Sequence, residues 1–324
     1  MHAAHPTGLS PGRSCPLSYR YSPAVFNRAA EVLADTVYVI GGLYGNLPAL
    51  ETIFALAAQE PVAPRLVFNG DFNWFNCDAA GFEAINVQVL RHVALRGNVE
   101  TELASDDAEA GCGCAYPDSV GDAEVQRSND ILHTLRACAA HFPALRAQLG
   151  ALPMHVVVQV GDLRAAIVHG DAQSLAGWGF SQDALDAPQN AAQIERAFEA
   201  AQVDLFASSH TCLPVARQFV IRKRQCAVIN NGAAGMPNFP AMPCGLITRI
   251  SRHASAHPAL HGFCLRGVYI DAIPVYYDQS RWVKSFLANW PPGSAGNESY
   301  FKRIIEGPQY GLAVAAPQCA ATVL

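Results

Sequence analysis

Four polar residues of this chain stand where an apolar run gives way to a turn of small residues. Asp71 follows Leu66-Val67-Phe68-Asn69-Gly70, and Asn98 follows Val93-Ala94-Leu95-Arg96-Gly97. His169 follows Leu163–Val168, and His210 follows Val203–Ala207 and Ser208-Ser209. Short apolar runs of this kind read as buried strands, and ligands of open α/β sheets collect at strand ends. One carboxylate, one amide oxygen and two imidazoles at one sheet edge would make a site for a divalent transition metal. Each residue alone has a plainer reading. Asp71 and Asn98 could be turn or cap residues, and the two histidines could be hydrogen-bonded core residues. Their equivalent placement on successive strands puts metal binding ahead.

The elements that must position these residues follow from periodicity. Residues 1–21 read as a polar arm, and Ser22-Pro23 as the start of a helix running from Ala24 to about Leu33. A buried strand, Thr36–Ile40, ends at Gly41-Gly42. Asn46 then caps a helix with Leu47, Leu50, Phe54 and Ala57 at helical spacing. With the strand at 66–69 this makes a βαβ unit and implies parallel strands. Helices are expected over Ala79–Leu90, Asp122–His141 and Asn190–Ala201, and again near Ser280–Leu287 and Tyr300–Ile305. Met154–Val160 and Leu163–Val168 read as a hairpin turning at Gly161-Asp162. Further strands are expected at 215–221, 226–230, 245–251 and 263–273. Residues 101–121 are acidic and aperiodic and read as an inserted surface loop, with residues 311–324 as a tail. One domain, 22–310, is the expected organisation.

Of the 324 residues, 51% are apolar and 15% charged, a balance that suits a buried core rather than disorder. A net charge of -5 with no basic run gives no footprint for nucleic acid. No run approaches the roughly 18 apolar residues of a membrane span. The N-terminus lacks the basic start and apolar stretch of a secretory signal, so a cytoplasmic protein with reduced thiols is expected. The ten cysteines are scattered. Cys112 and Cys114, in Gly-Cys-Gly-Cys, form a single pair with no second pair to complete a zinc site.

The chain resembles the calcineurin-like metallophosphoesterase superfamily, in particular its compact bacterial and archaeal members. The family's blocks run D-x-H-G-N, G-D, G-N-[HC]-[DE], H-G and G-H-T-H, followed by N-P-G-S. The matching stretches are Gly42-Leu43-Tyr44-Gly45-Asn46, Gly70-Asp71, Gly97-Asn98-Val99-Glu100, His169-Gly170, Ser209-His210-Thr211-Cys212 and Asn230-Asn231-Gly232-Ala233. The similarity spans about residues 35 to 305 and includes a closing strand at Ile273–Asp278. The resemblance implies a four-layer α/β/β/α sandwich, two metal ions between the sheet edges, and hydrolysis of a phosphate ester by metal-activated water.

Its departures are selective. The resemblance assigns the first metal to the positions of Gly42, Tyr44, Asp71 and Cys212, of which Asp71 alone keeps the family's residue. It assigns the second to Asp71, Asn98, His169 and His210, all of them retained. One ion per chain (Mn, Fe, Zn or Ni) is therefore expected, with Asp71 a terminal ligand rather than a bridge. Gly42 offers no side chain, so Tyr44 and Cys212 are expected to be packing or substrate-facing groups. Val99 stands where many relatives carry a catalytic histidine. Tyr44, Asn46, Arg96, Glu100, Asp171 and Cys212 are candidates for touching substrate or supporting the ligands, Arg96 through phosphate and Asp171 through an imidazole. The expected activity is hydrolysis of a small phosphate mono- or diester. A binding or regulatory protein that holds a metal or a phosphorylated ligand without turnover is the alternative. A thiolate centre of Cys112, Cys114 and Cys212 is a weaker third reading.

Overall fold

Strands that are apolar on both faces must be covered on both sides, and two sheets packed face to face do this here. The computed structural model describes residues 10–107 and 109–317. In chain order the strands begin with β1 (Val32–Leu33), β2 (Thr36–Ile40), β3 (Arg65–Asn69), β4 (Val93–Leu95), β5 (His155–Val160) and β6 (Leu163–Val168). They continue as β7 (Leu205–Ser208), β8 (Pro214–Ile221), β9 (Arg224–Asn231), β10 (Gly245–Ser251), β11 (His261–Leu265) and β12 (Val268–Val275). One six-stranded sheet has the order β1-β5-β6-β7-β9-β8, the other β11-β12-β10-β2-β3-β4.

The period-two rule sorts the side chains into layers. Val37 and Val39 of β2 join Ile167, Leu205 and Ile229 between the sheets. Tyr38 and Ile40 point the other way, into a core with Leu50 and Ile53 of helix Leu47–Ala58 and Phe82 of helix Ala79–Val89. On the far side, Ala166, Val168 and Phe206 pack on Phe198 of helix Ala191–Ala201. The result is the four-layer α/β/β/α sandwich. β2, β3 and β4 are mutually parallel, as are β6, β7 and β9, so each group brings its C-terminal ends to one edge. No helix among the described residues is long and apolar enough to cross a membrane.

A buried ion pair ties the outer helical layer to its sheet. Glu60, just past helix Leu47–Ala58, accepts hydrogen bonds from Tyr38 Oη at 2.7 Å and from Arg249 Nε at 2.6 Å. Burial raises the Glu60 pKa, but the hydrogen bonds from Arg249 and Tyr38 outweigh it and hold the carboxyl below its usual range. That stabilisation is full above the ordinary carboxylate pKa of ~4.3 and is lost as the pH falls through the lower folded value. Glu60→Gln is expected to cost about 2 kcal/mol at neutral pH. Its melting temperature should converge on that of the wild type in acid; a gap that persists below the folded Glu60 pKa would contradict the assignment.

Several expectations are corrected. Residues 24–33 are not a helix. A short 3-10 turn, Pro23–Phe26, buries Phe26, and Val32-Leu33 then add to the edge of β5. Glu31 closes the junction, its N–H donating to the Val157 carbonyl and its carboxylate accepting the Val157 N–H. The predicted strand at 263–273 is a hairpin, β11 and β12, that turns at Arg266-Gly267, both with positive φ.

Residues 10–21 are packed rather than a free arm: Tyr19 is 1% exposed and donates to Glu102. Residues 1–9 lie outside the description. In the expected tail, Arg217 of β8 donates to the carbonyls of Val314 and Ala315 in helix Leu312–Ala315; residues 318–324 lie outside the description. The 101–121 segment is only partly a surface loop. It continues helix Asn98–Ala104 and then buries Cys112 and Cys114. Glu102 is buried on Arg136, while Asp106 meets Arg146 at the surface.

Candidate metal centre

The loop after β3 sets the geometry. Gly70 (φ 77°) and Asp71 (φ 53°) both take left-handed backbone, which turns the carboxylate back over the sheet edge. The turn is fixed by Glu100, whose carboxylate accepts the N–H groups of Asp71 at 2.7 Å, Gly97 at 3.0 Å and Asn73 at 3.2 Å. Burial first, then the nearby Asp71 charge, pushes the Glu100 carboxyl up to about 7, against the pull of those N–H groups. A side chain at Gly97 would collide with Asp71 Oδ1, and one at Gly70 with the His169 ring, so both glycines serve close approach.

Asn98 begins helix Asn98–Ala104 rather than ending a strand. Its Nδ2 donates to the Cys112 carbonyl at 2.9 Å, which turns Oδ1 toward His169 Nε2 at 3.2 Å. His169 leaves β6, and its Nδ1 lies 2.8 Å from the Asn69 carbonyl. His210 follows β7, and its Nε2 lies 3.0 Å from the Cys114 carbonyl. A carbonyl can only accept, so each ring carries its proton on that nitrogen and presents a lone pair on the other.

Those lone pairs converge. His169 Nε2 lies 3.3 Å from Asp71 Oδ2, 3.2 Å from Asn98 Oδ1 and 3.2 Å from His210 Nδ1. All four side chains are buried. Acceptors facing one another in this way need a cation between them, which is either a proton shared by His169 Nε2 and Asp71 Oδ2 or a metal ion among all four. Ligands ~2.1 Å from a tetrahedral ion are ~3.4 Å apart, close to these spacings. The residues present therefore fit a divalent metal, and Asp71, His169 and His210 form a buried group able to hold one.

Without a metal, a proton on His169 takes the cation's part. Burial disfavours the Asp71 charge, yet His169, His210 and the Val99 N–H hold its carboxyl below the usual range. Burial likewise opposes the charged form of His169, but Asp71 raises its pKa overall. His210 falls to about 4 through burial and the adjacent His169, which preserves its lone pair at any ordinary pH.

The place expected for a first metal is filled differently. Tyr44 Oη lies 2.8 Å from Cys212 Sγ, and a Cβ added to Gly42 would meet Tyr44 Cζ and Oη at 2.8 Å. The phenol thus lies over the glycine. Burial, then Cys212 and Asp71, pushes the Tyr44 pKa well up, and burial also raises that of Cys212. Without a metal, both groups are held in their neutral forms.

Three further candidates serve the fold. Asn46 caps its helix through the Ala49 N–H and donates to the Gly235 carbonyl. Arg96 donates to the Gly150 carbonyl, away from the centre. Asp171 touches no imidazole; it accepts the N–H groups of Gln173, Ser174 and Gly179 and shapes its own loop. The thiolate reading also loses its geometry. Cys112 Sγ packs toward Gly12, Cys114 lines the cavity and Cys212 pairs with Tyr44.

Beside the four donors opens a cavity of about 390 Å³, walled by Trp74, Tyr116, Trp178 and Tyr300 and reached by Arg303. These groups escape sequence reasoning because they come from separate elements with no shared spacing. The closest signal is the placement of the 101–121 segment directly after Asn98, which brings the Cys112 and Cys114 carbonyls onto the ligands.

No family model matches the chain, and no curated protein matches it in sequence. Among solved structures, a metallophosphoesterase from Sphaerobacter thermophilus matches at a TM-score of 0.53 and 14% identity, over 84% of this chain and 100% of its own. A hypothetical protein of Pyrococcus horikoshii OT3 matches at 0.55 and 16% identity, over 86% of this chain and 100% of its own. At these identities the likeness is one of fold.

Proposed function

We propose that this chain, which has the metallophosphoesterase fold, is a metal-dependent phosphoesterase that works with one divalent ion held by Asp71, Asn98, His169 and His210. The observation that carries the reading is the meeting of four lone-pair donors in a buried pocket, with both imidazole protons fixed on backbone carbonyls. A bound ion would polarise a phosphoryl oxygen and lower the pKa of water there. The chain's own part is orientation. Asn69 and Cys114 carbonyls fix the two tautomers, Glu100 sets the Asp71 turn, and the cavity encloses the ester.

A silent phosphate-binding protein is the second reading. It is favoured by the Tyr44–Cys212 pair over Gly42 and by Val99, which supplies no acid for a leaving group.

Metal analysis of the purified protein, run beside hydrolysis of p-nitrophenyl phosphate and its bis-ester with Mn²⁺, separates the two. The expected result is about one metal per chain and turnover that falls at least ~100-fold in Asp71→Asn. Metal without turnover on either ester would favour the silent reading. Retention of metal by Asp71→Asn would sink the site assignment.

A further inference from the structure

The cavity beside the four donors contains a cation that the metal centre does not employ. Arg303, on helix Ala295–Glu306, lines it together with Asp71, Asn98 and His210. One terminal nitrogen donates to the Cys212 carbonyl. Its Nε is buried with no hydrogen-bond partner. Arg136, Arg217 and Arg249 hold Glu102, Asp186 and Glu60, but Arg303 holds no carboxylate among the described residues. The cavity's Glu124 is already committed to Arg127 at 2.6 Å. A guanidinium that lines an enclosed space with no carboxylate to neutralise it is suited to an anion with several oxygens, such as a phosphoryl group.

The rest of the wall defines what that anion is attached to. Trp74, Tyr116, Trp178 and Tyr300 supply aromatic surface. Two of these rings have their polar ends occupied elsewhere: Trp178 Nε1 donates to the Cys114 carbonyl at 3.0 Å, and Tyr116 Oη lies 3.0 Å from Ser128 Oγ. What they present inward is ring surface, which favours a flat apolar group over a hydroxylated one.

We infer that Arg303 holds the phosphoryl oxygens of an ester whose alcohol part is an aromatic ring enclosed by Trp74, Tyr116, Trp178 and Tyr300. This rests on the phosphoesterase reading for the ester, though the binding pocket stands on its own residues. Arg303 acts on the phosphoryl group from the side where Tyr44 and Cys212 leave no room for a second ion.

The test uses phenylphosphonate, whose carbon–phosphorus bond resists hydrolysis, with methylphosphonate as its ringless control. Both are titrated by calorimetry into the Mn²⁺-loaded protein, and the metal content of each variant is measured. Phenylphosphonate should bind about tenfold tighter than methylphosphonate. Arg303→Met should weaken both by about tenfold or more with metal content unchanged. Trp178→Leu should weaken the phenyl compound alone. Because Arg303 also supports the Cys212 carbonyl, Arg303→Lys provides a variant that keeps the charge and should fall between. In the wild-type chain, phenylphosphonate should protect Arg303 from phenylglyoxal, read by peptide mass. Equal binding of the two phosphonates, unaltered affinity in Arg303→Met, or no protection would overturn the inference. Absence of bound metal with these differences intact would sink the phosphoesterase reading alone. Metal and turnover without them would sink this one alone.

Discussion

A chain carrying His169→Ala is expected to lose its divalent metal and about 3–5 kcal/mol of stability. His169 is the hub of the cluster: its Nε2 meets Asp71, Asn98 and His210, and its Nδ1 meets the Asn69 carbonyl. Asp71 is only 6% exposed, so removing the imidazole leaves a buried carboxylate facing an empty volume. Metal should also stop stabilising the fold. An ion at a hundredfold excess over its dissociation constant contributes about 2.7 kcal/mol to the native state. Thermal denaturation with and without Mn²⁺ should therefore show a clear upward shift for the wild type and none for the variant. A variant that still responds to Mn²⁺ would place the ion elsewhere. Acid should release the ion from the wild type as well, because a metal competes with protons for these lone pairs.

The strands were legible in the sequence because burial on both faces leaves long apolar runs, and the polar residues that interrupt them fall at the sheet edge. Asp71, Asn98, His169 and His210 were readable from that alone, and the fold brings them within contact. Helix Asp122–Ala139 and the β5–β6 hairpin were legible for the same local reasons. What escaped was decided by distant partners. Val32-Leu33 became strand because the edge of β5 was open to it. The 101–121 segment reads as an aperiodic, acidic loop, yet its Glu102 is buried on Arg136 and the Cys112 thiol packs toward Gly12. Arg96 is a candidate for phosphate in sequence because it adjoins Asn98. In space Arg96 turns to Gly150, while a helix nearly two hundred residues later delivers Arg303. Adjacency along the chain predicts contact only where the local turn aims the side chain inward.

Gly42 offers the sharpest test of why the first-metal position that the resemblance implies is filled differently here. Gly42→Asp alone is expected to destabilise the protein by about 2–5 kcal/mol. Two effects add. The backbone there is left-handed at φ 63°, and a Cβ would sit 2.8 Å from the Tyr44 ring and hydroxyl. Adding Tyr44→His and Cys212→His removes the ring and the thiol it meets. Residues 44 and 212 are also left-handed, at φ 56° and 59°, a region where aspartate and histidine are enriched over most side chains. The triple variant should therefore be more stable than Gly42→Asp alone, although it carries more changes. With Asp71 shared, it should bind about one more metal per chain than the wild type. Denaturation curves and metal analysis of the three chains decide the matter. A single variant as stable as the wild type would mean that the phenol does not occupy this space. A folded triple variant with no added metal would mean that the loop backbone, and not only its side chains, has moved away from a two-metal design.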